Sequence, residues 1–290
     1  MKCTVVQEDR IVSERFERLC DFSYTPGSRL PETEVCLVYC KTDYVSSFLD
    51  ACVGNLSNTK YILVTHQSDF GITKNLISRL PDNVVKWFGQ NVECVDDPRV
   101  ESIPIGSASL TWIGEKQYAE VTHAPDFVVI EETGKEKEIQ NLVYMNFAIR
   151  TNPDRRQIYD FFKNEDWVTA CPADLSLEEY KKTRYYNNVK NDYEDLYNHK
   201  FCMAPLGNGV DCGRTWQAIY LNTIPIVPRH LNIEFYRDLP ILVYDDIEEI
   251  TEPYLNSIYT EYSQRTFNYD KAKVSYWKKR FLQEKDKWVK

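Results

Sequence analysis

The sequence contains no uncharged apolar run of about 18 residues, and its opening stretch MKCTVVQEDR lacks the apolar core of a signal peptide. A membrane-spanning helix is therefore not expected, and a soluble, cytoplasmic chain is. No C-x-x-C pair or matching Cys and His spacing occurs, which argues against a zinc framework. The cysteines, nine in all and scattered through apolar segments, read as thiols of a reducing compartment rather than as a disulfide scaffold. No D-x-D triplet is available to hold a divalent cation on a diphosphate, so no metal site is expected. The first strand-to-helix corner, CKTDY, has no G-x-G-x-x-G, which argues against a dehydrogenase-type nucleotide site there. Long Lys/Arg runs are also missing and the net charge is -9, a poor match for nucleic acid or an anionic membrane.

What the chain does have is enough apolar material for more than one core. At 290 residues, 43% hydrophobic and 13% aromatic, with 20 Tyr and 6 Trp, it exceeds the size at which a single core grows efficiently. Two domains of about 130 to 150 residues are expected. After the amphipathic IVSERFERL, apolar runs alternate with helical patterns: EVCLVYC, then YVSSFLDACV; KYILVTH, then TKNLISRL stopped by Pro81; then VVKWFGQN and ESIPIGS. The apolar run Asp126 to Ile130 precedes EETGKEKEIQ, whose charge and lack of apolar period mark an interdomain connection. A second series follows: NLVYMNFAI, PDRRQIYDFF, DWVTACP, a Tyr-rich helical stretch from Ser176 to His199, and the strand in FYRDLPILVYDD. IEEITEPYLNSIY reads as a helix interrupted at Pro253, and DKAKVSYWKKRFLQEKDKWVK as a basic amphipathic helix. The alternation predicts an α/β protein with parallel sheets. Loops at the carboxyl ends of such strands line the ligand crevice, which places Asp43, His66, Asp69, Asn91 and Gly106 on one rim.

The organising stretch is KFCMAPLGNGVDCGRTWQAIYLNTIPIVP, Lys200 to Pro228: a buried strand closed by Pro205, a glycine loop, a helix and a second buried strand. Gly207, Gly209 and Gly213 are expected to take positive φ angles and to let the backbone approach a ligand, with Asp211 in an N-cap-like role. Arg214 in the first helical turn opposes the helix macrodipole. A bound diphosphate accounts for it, since a guanidinium forks two phosphate oxygens while loop amides take others. The plain alternative is a tight strand-to-helix turn with a solvated arginine.

This order of apolar strand, Pro, Gly-x-Gly, Asp, Arg, aromatic, amide, helix and Ile-Pro-Ile resembles the donor-binding region of exostosin-like glycosyltransferases. The resemblance runs over Asn141 to Asp246. It implies the GT-B fold of two facing Rossmann-like domains: residues 1–135 binding the acceptor, 136–268 binding the nucleotide sugar, and 269–290 as a helix packing back on the first domain. The implied activity moves a sugar from a nucleotide diphosphate donor to a glycan hydroxyl, with a UDP-sugar, xylose or another pentose among the leading donors. No cofactor beyond the donor substrate is implied. Arg214 falls at the diphosphate-facing arginine of the family. Gln217 replaces the usual ribose-holding glutamate and keeps hydrogen-bonding capacity as a neutral group.

The same topology puts Arg150 and Arg155 beside the diphosphate, Arg156 on a solvated face, and Ala173 and Asp174 along the nucleobase. Gly207, Asn208, Gly209 and Asp211 supply the loop. Family members are generally membrane-anchored, so this chain resembles a soluble microbial or viral relative. An inverting transfer needs a base on the first domain. Asp43 is read as that base, Asp69 as the alternative, and His66 as positioning the acceptor; the rival roles are an N-cap for Asp43 and a turn residue for Asp69. The competing function is a non-catalytic sugar- or nucleotide-binding protein of the same fold.

Overall fold

The computed structural model describes residues 2–55, 57–107, 136–183 and 189–289. Among these residues ten strands form two five-stranded sheets, parallel throughout. The first has the order β1 (Phe22–Tyr24), β2 (Val35–Lys41), β3 (Lys60–His66), β4 (Val84–Gly89), β5 (Val100–Ser102). The second runs β10 (Leu242–Tyr244), β9 (Ile224–Pro228), β8 (His199–Met203), β6 (Asn141–Met145), β7 (Val168–Ala170). This is the α/β arrangement of two Rossmann-like units. The apolar run Asp126 to Ile130 lies outside the described residues, as do residues 131–135 of the expected connection EETGKEKEIQ.

The strand order of the first sheet dictates what covers it. Each strand lies beside its predecessor and always in the same direction, and right-handed crossovers then put every connection on one face. Helices α2 (Val45–Gly54) and α3 (Lys74–Ile77) occupy that face, where Phe48, Leu49 and Ile77 meet Cys36, Val38, Cys40, Tyr61 and Leu63. The alternate residues Leu37, Tyr39, Ile62 and Val64 point to the other face. That face is left to segments outside the strand-to-strand connections. Phe16 of α1 (Ser13–Arg18) and Trp277 and Phe281 of the last helix (Val274–Asp286) join the core on that side. The Phe281 ring lies 5.9 Å from Phe16 and 4.8 Å from Phe88. The return of the C-terminal helix to the first domain is thus the burial of an otherwise bare sheet face.

The second sheet reverses direction. From β6 the chain steps outward to β7, with α4 (Asp154–Phe162) packed on one face. It then crosses to β8 on the other side of β6 and proceeds to β9 and β10. The helices of that later series are α5 (Leu177–Tyr180), α6 (Val189–Tyr197), α7 (Gly213–Tyr220) and α8 (Leu231–Glu234). Tyr193 and Leu196 of α6, Trp216, Ala218 and Ile219 of α7, and Ile233 of α8 lie on the face opposite α4, in the same core as the bare face of the first sheet. The Tyr-rich stretch is helical in two pieces rather than one, α5 and α6. In α9 (Glu252–Gln264) Pro253 sits in the first turn, where its missing N–H costs nothing, so it starts the helix instead of interrupting it. Among the described residues no helix is long and apolar enough to cross a membrane, and all nine cysteines are free.

Candidate functional site

A reversal of strand order leaves a crevice between the two loops that diverge from it, at the carboxyl ends of the strands. Here those loops follow β6 (residues 146–153) and β8 (residues 204–212); Arg150, Gly207, Asn208, Gly209 and Asp211 lie on them, Arg155, Arg214 and Gln217 lie on the helices that follow, and Ala173 and Asp174 lie after β7. Arg155 ties the two lips together. Its Nε donates to Leu206 O at 2.6 Å, Nη1 to Ala148 O at 2.9 Å and Nη2 to Pro205 O at 3.2 Å, while the guanidinium lies 5.4 Å from the Phe147 ring. The side chain is buried. Neither a phosphate-facing nor a solvated arginine, Arg155 is spent on backbone carbonyls and shapes the crevice. Asn152, which the sequence did not single out, adds a bond from Nδ2 to Gly207 O at 3.1 Å.

The glycines of the loop serve a different purpose from the one expected. None of Gly207, Gly209 and Gly213 has positive φ; among the described glycines only Gly27 and Gly106 do. What two of them require is room. A Cβ on Gly209 would lie 2.4 Å from Asn91 Nδ2, and one on Gly207 would lie 3.2 Å from Arg155 Nη2. Asn91, at φ 54 just beyond β4, accepts from the Asp211 N–H at 2.9 Å and donates to Ser68 O at 3.1 Å. The donor loop is thereby bolted to the first domain. Asp211 completes the bolt. It does not cap α7, whose N-cap Cys212 has no side-chain cap bond. Instead its buried carboxylate accepts from Ile105 N at 2.7 Å, across the domain boundary, and from Trp216 Nε1 at 2.9 Å. Burial raises its pKa to about 6, against the lowering effect of the N–H groups of Ile105, Trp216 and Cys212.

Arg214 is fixed from below. Its Nη1 donates to Asp192 Oδ2 at 2.9 Å, the two side chains being 17% and 16% exposed. The other Asp192 oxygen accepts from Tyr144 OH and from Asn146 Nδ2, each at 2.7 Å. Burial by itself would lower the Arg214 pKa, but Asp192 holds it above the usual value. The remaining guanidinium N–H groups make no hydrogen bond among the described residues. With the uncapped start of α7, they are the groups that an anion would meet here. Sequence reading missed Asp192, Tyr144 and Asn146. The available signal was an aspartate one residue before Tyr193 and four before Leu196, on the apolar side of α6. Gln217, one turn after Arg214, makes only a long contact from Nε2 to Tyr193 OH at 3.4 Å.

The remaining donor candidates lie on the loops after β6 and β7. Arg150 is exposed in a short 3-10 turn after β6. Ala173 donates its N–H to Tyr159 OH at 3.3 Å, and Asp174, at φ 63, is paired with Arg156. Arg156 is therefore an ion-pair partner on an exposed face.

On the opposite wall the three catalytic candidates separate. Asp69 is exposed and its Oδ2 accepts from Asn208 Nδ2 of the glycine loop at 3.0 Å, so the structure brings these two together. Asp43 is exposed in the turn between β2 and α2 and caps nothing, since the α2 N-cap has no side-chain bond. The register Lys41↔His66 puts it one strand farther from the contacts made by the loops after β3 and β4. His66 does not reach the crevice. It is buried, with Nε2 against Pro104 O at 3.0 Å and its ring 5.2 Å from that of Phe16. Burial lowers its pKa to about 4, opposed by the Pro104 carbonyl and Glu14. As the last residue of a strand covered on both faces, it is a neutral core histidine and cannot position an acceptor.

Among the described residues no cluster of three His, Cys, Asp or Glu is placed to hold a metal ion. A cavity of about 320 Å³ lies elsewhere, at the amino ends of β6 and β7, lined by residues including Asn141, Asp166, Trp167 and Glu252. It is not at the strand reversal.

No family model matches the sequence, and no curated protein matches it. Among solved structures, a crystal structure of an α1,3-fucosyltransferase aligns over 83% of this chain and 68% of that one, at 14% identity and a TM-score of 0.44. A crystal structure of α1,3-fucosyltransferase with GDP-fucose aligns over the same shares at 14% identity and a TM-score of 0.41.

Proposed function

We propose that this chain is a glycosyltransferase that moves a sugar from a nucleotide diphosphate donor to a hydroxyl of a glycan acceptor. The observation that carries this reading is an arginine at the start of α7, held on the partly buried carboxylate of Asp192, together with an exposed first-domain carboxylate, Asp69, that contacts the glycine loop through Asn208. The diphosphate lies against Arg214 and the first amides of α7. As the bond from the anomeric carbon to the phosphate oxygen breaks, negative charge grows on the terminal phosphate, where the guanidinium and the helix amides oppose it without needing to move. Asp69 takes the proton of the acceptor hydroxyl as the new bond from its oxygen to the anomeric carbon forms, which gives inversion. Asp43 is the alternative base. A UDP-sugar with xylose or another pentose, and independence of divalent metal, are the finer parts of the proposal and rest on the exostosin-like resemblance and on the arginine-and-amide site.

A thermal-shift screen of nucleotide diphosphates and their sugars tests the donor half. A ligand that binds only the folded state stabilises it by about 2.7 kcal/mol at a hundredfold excess over its Kd. Arg214→Ala is expected to weaken the best nucleotide by roughly ten- to a hundredfold, from loss of charge-assisted bonds of about 1.5 to 3 kcal/mol. An unchanged affinity in that variant contradicts the site.

A further inference from the structure

Between β3 and the short parallel bridge Ile72↔Val92 the chain makes a tight loop, residues 67–71, that displays an aromatic ring to solvent. Phe70 is 64% exposed, the most exposed aromatic side chain among the described residues. Such exposure is expected of a mobile tip, yet this loop is held along its length. Gln67, at φ 59, donates its N–H to Gln90 Oε1 at 3.0 Å. Ser68 O accepts from the side-chain amides of both Gln90 and Asn91. Phe70 N donates to Ser68 Oγ at 3.1 Å, and Ile72 N to Asn91 O at 2.8 Å. Asn91 is the residue that also grips the donor loop through Asp211 N, and Asp69, next to Phe70, reaches Asn208 on the far wall. The exposed ring is therefore built onto the frame that positions the donor loop, immediately beside the carboxylate that faces it.

We infer that Phe70 is the stacking platform of the acceptor subsite and takes the apolar C–H face of a pyranose ring while Asp69 engages a hydroxyl of the same sugar. The inference deepens the proposed function and rests on it for the word acceptor. A sugar ring has one face of axial C–H groups and a rim of hydroxyls, so it is matched by an aromatic ring set beside a hydrogen-bonding carboxylate. Asp69 can serve such a ring because its Oδ1 makes no hydrogen bond among the described residues, Oδ2 being shared with Asn208. A fixed platform also loses little freedom on binding, which is the advantage of a loop already held by hydrogen bonds.

The test is saturation-transfer NMR on the full chain, with the methyl glycosides of glucose, galactose, xylose and fucose as probes. Wild-type protein is expected to saturate the ring C–H protons of at least one of them. Phe70→Ala should lose that signal, Phe70→Tyr and Phe70→Trp should keep it, and in all three the nucleotide diphosphate thermal shift should be unchanged. With the best acceptor in a transfer assay, Phe70→Ala should raise acceptor KM roughly three- to thirtyfold and leave kcat near wild type. Equal saturation in Phe70→Ala, or none in the wild type, overturns the inference. So does a loss of nucleotide binding in Phe70→Ala that Phe70→Tyr does not restore, because the ring would then be structural. Phe70-dependent saturation in a protein that binds no nucleotide would sink the transferase reading and leave the sugar platform standing. Nucleotide binding without Phe70-dependent saturation does the reverse.

Discussion

Asp211 is a buried ionisable group that links the glycine loop to the first domain, so Asp211→Asn gives the sharpest test of that link. In the folded chain its pKa is raised from 3.8 to about 6, mainly by burial. A carboxyl with a folded pKa above its unfolded value binds its proton more tightly when folded. Its contribution to stability is therefore fully present below about pH 4 and is lost as the pH rises through about 6. The difference of about 2 pH units corresponds to about 3 kcal/mol, at 1.36 kcal/mol per unit. Asparagine removes the titration. It also turns one acceptor into a donor facing either the Ile105 N–H or the Trp216 indole, at a cost of about 1 to 3 kcal/mol. Tm measured from pH 4 to 7 should then show wild type several degrees above Asp211→Asn at pH 4, with the gap closing by pH 7. A gap that is constant across this range, or that widens with pH, would refute the reasoning. It would mean that the three N–H groups outweigh burial and hold the carboxylate ionised.

Other substitutions separate shaping residues from contact residues. Arg155→Ala leaves three backbone carbonyls without their donor and should lower the denaturation free energy by about 3 kcal/mol or more. A variant of unchanged stability but weakened nucleotide binding would instead mark Arg155 as a direct phosphate ligand. Gly209→Ala pushes a methyl group into Asn91 and should cost about 1 to 3 kcal/mol while weakening nucleotide binding; a neutral result in denaturation would show that the loop is not bolted to the first domain. Asp69→Asn should cut turnover roughly a hundred- to ten-thousandfold with donor binding retained, and Asp43→Asn should have a small effect. The opposite ranking in single-turnover kinetics would return the base role to Asp43.

Much of this architecture was legible because the strands are buried on both faces and so appear as unbroken apolar runs between turn residues. EVCLVYC, KYILVTH and KFCMA match β2, β3 and β8 to within one residue, and NLVYMNFAI starts with β6 but runs four residues past its end. The C-terminal helix was also readable from its amphipathic pattern, and its return to the first sheet is what the exostosin-like resemblance implied. The glycine loop follows a strand and Arg214 lies in the first turn of a helix, as read from the sequence, because local spacing fixes which residues follow a strand and open a helix. Three things were decided only by tertiary structure, and each depends on neighbours distant in sequence. Arg155 reads like its neighbour Arg156, and only the approach of the loop after β8 makes one a buried clamp and the other an exposed partner of Asp174. His66 ends a strand like any rim residue, and only Phe16 and Pro104, brought in from elsewhere, seal it from the crevice. The loop glycines signal a need for small residues, but whether that need is for positive φ or for space is set by Asn91, 118 positions from Gly209. Local sequence fixes backbone preference and apolar period. The partner of a polar side chain is fixed by which loops the sheets bring together, and no local pattern carries that information.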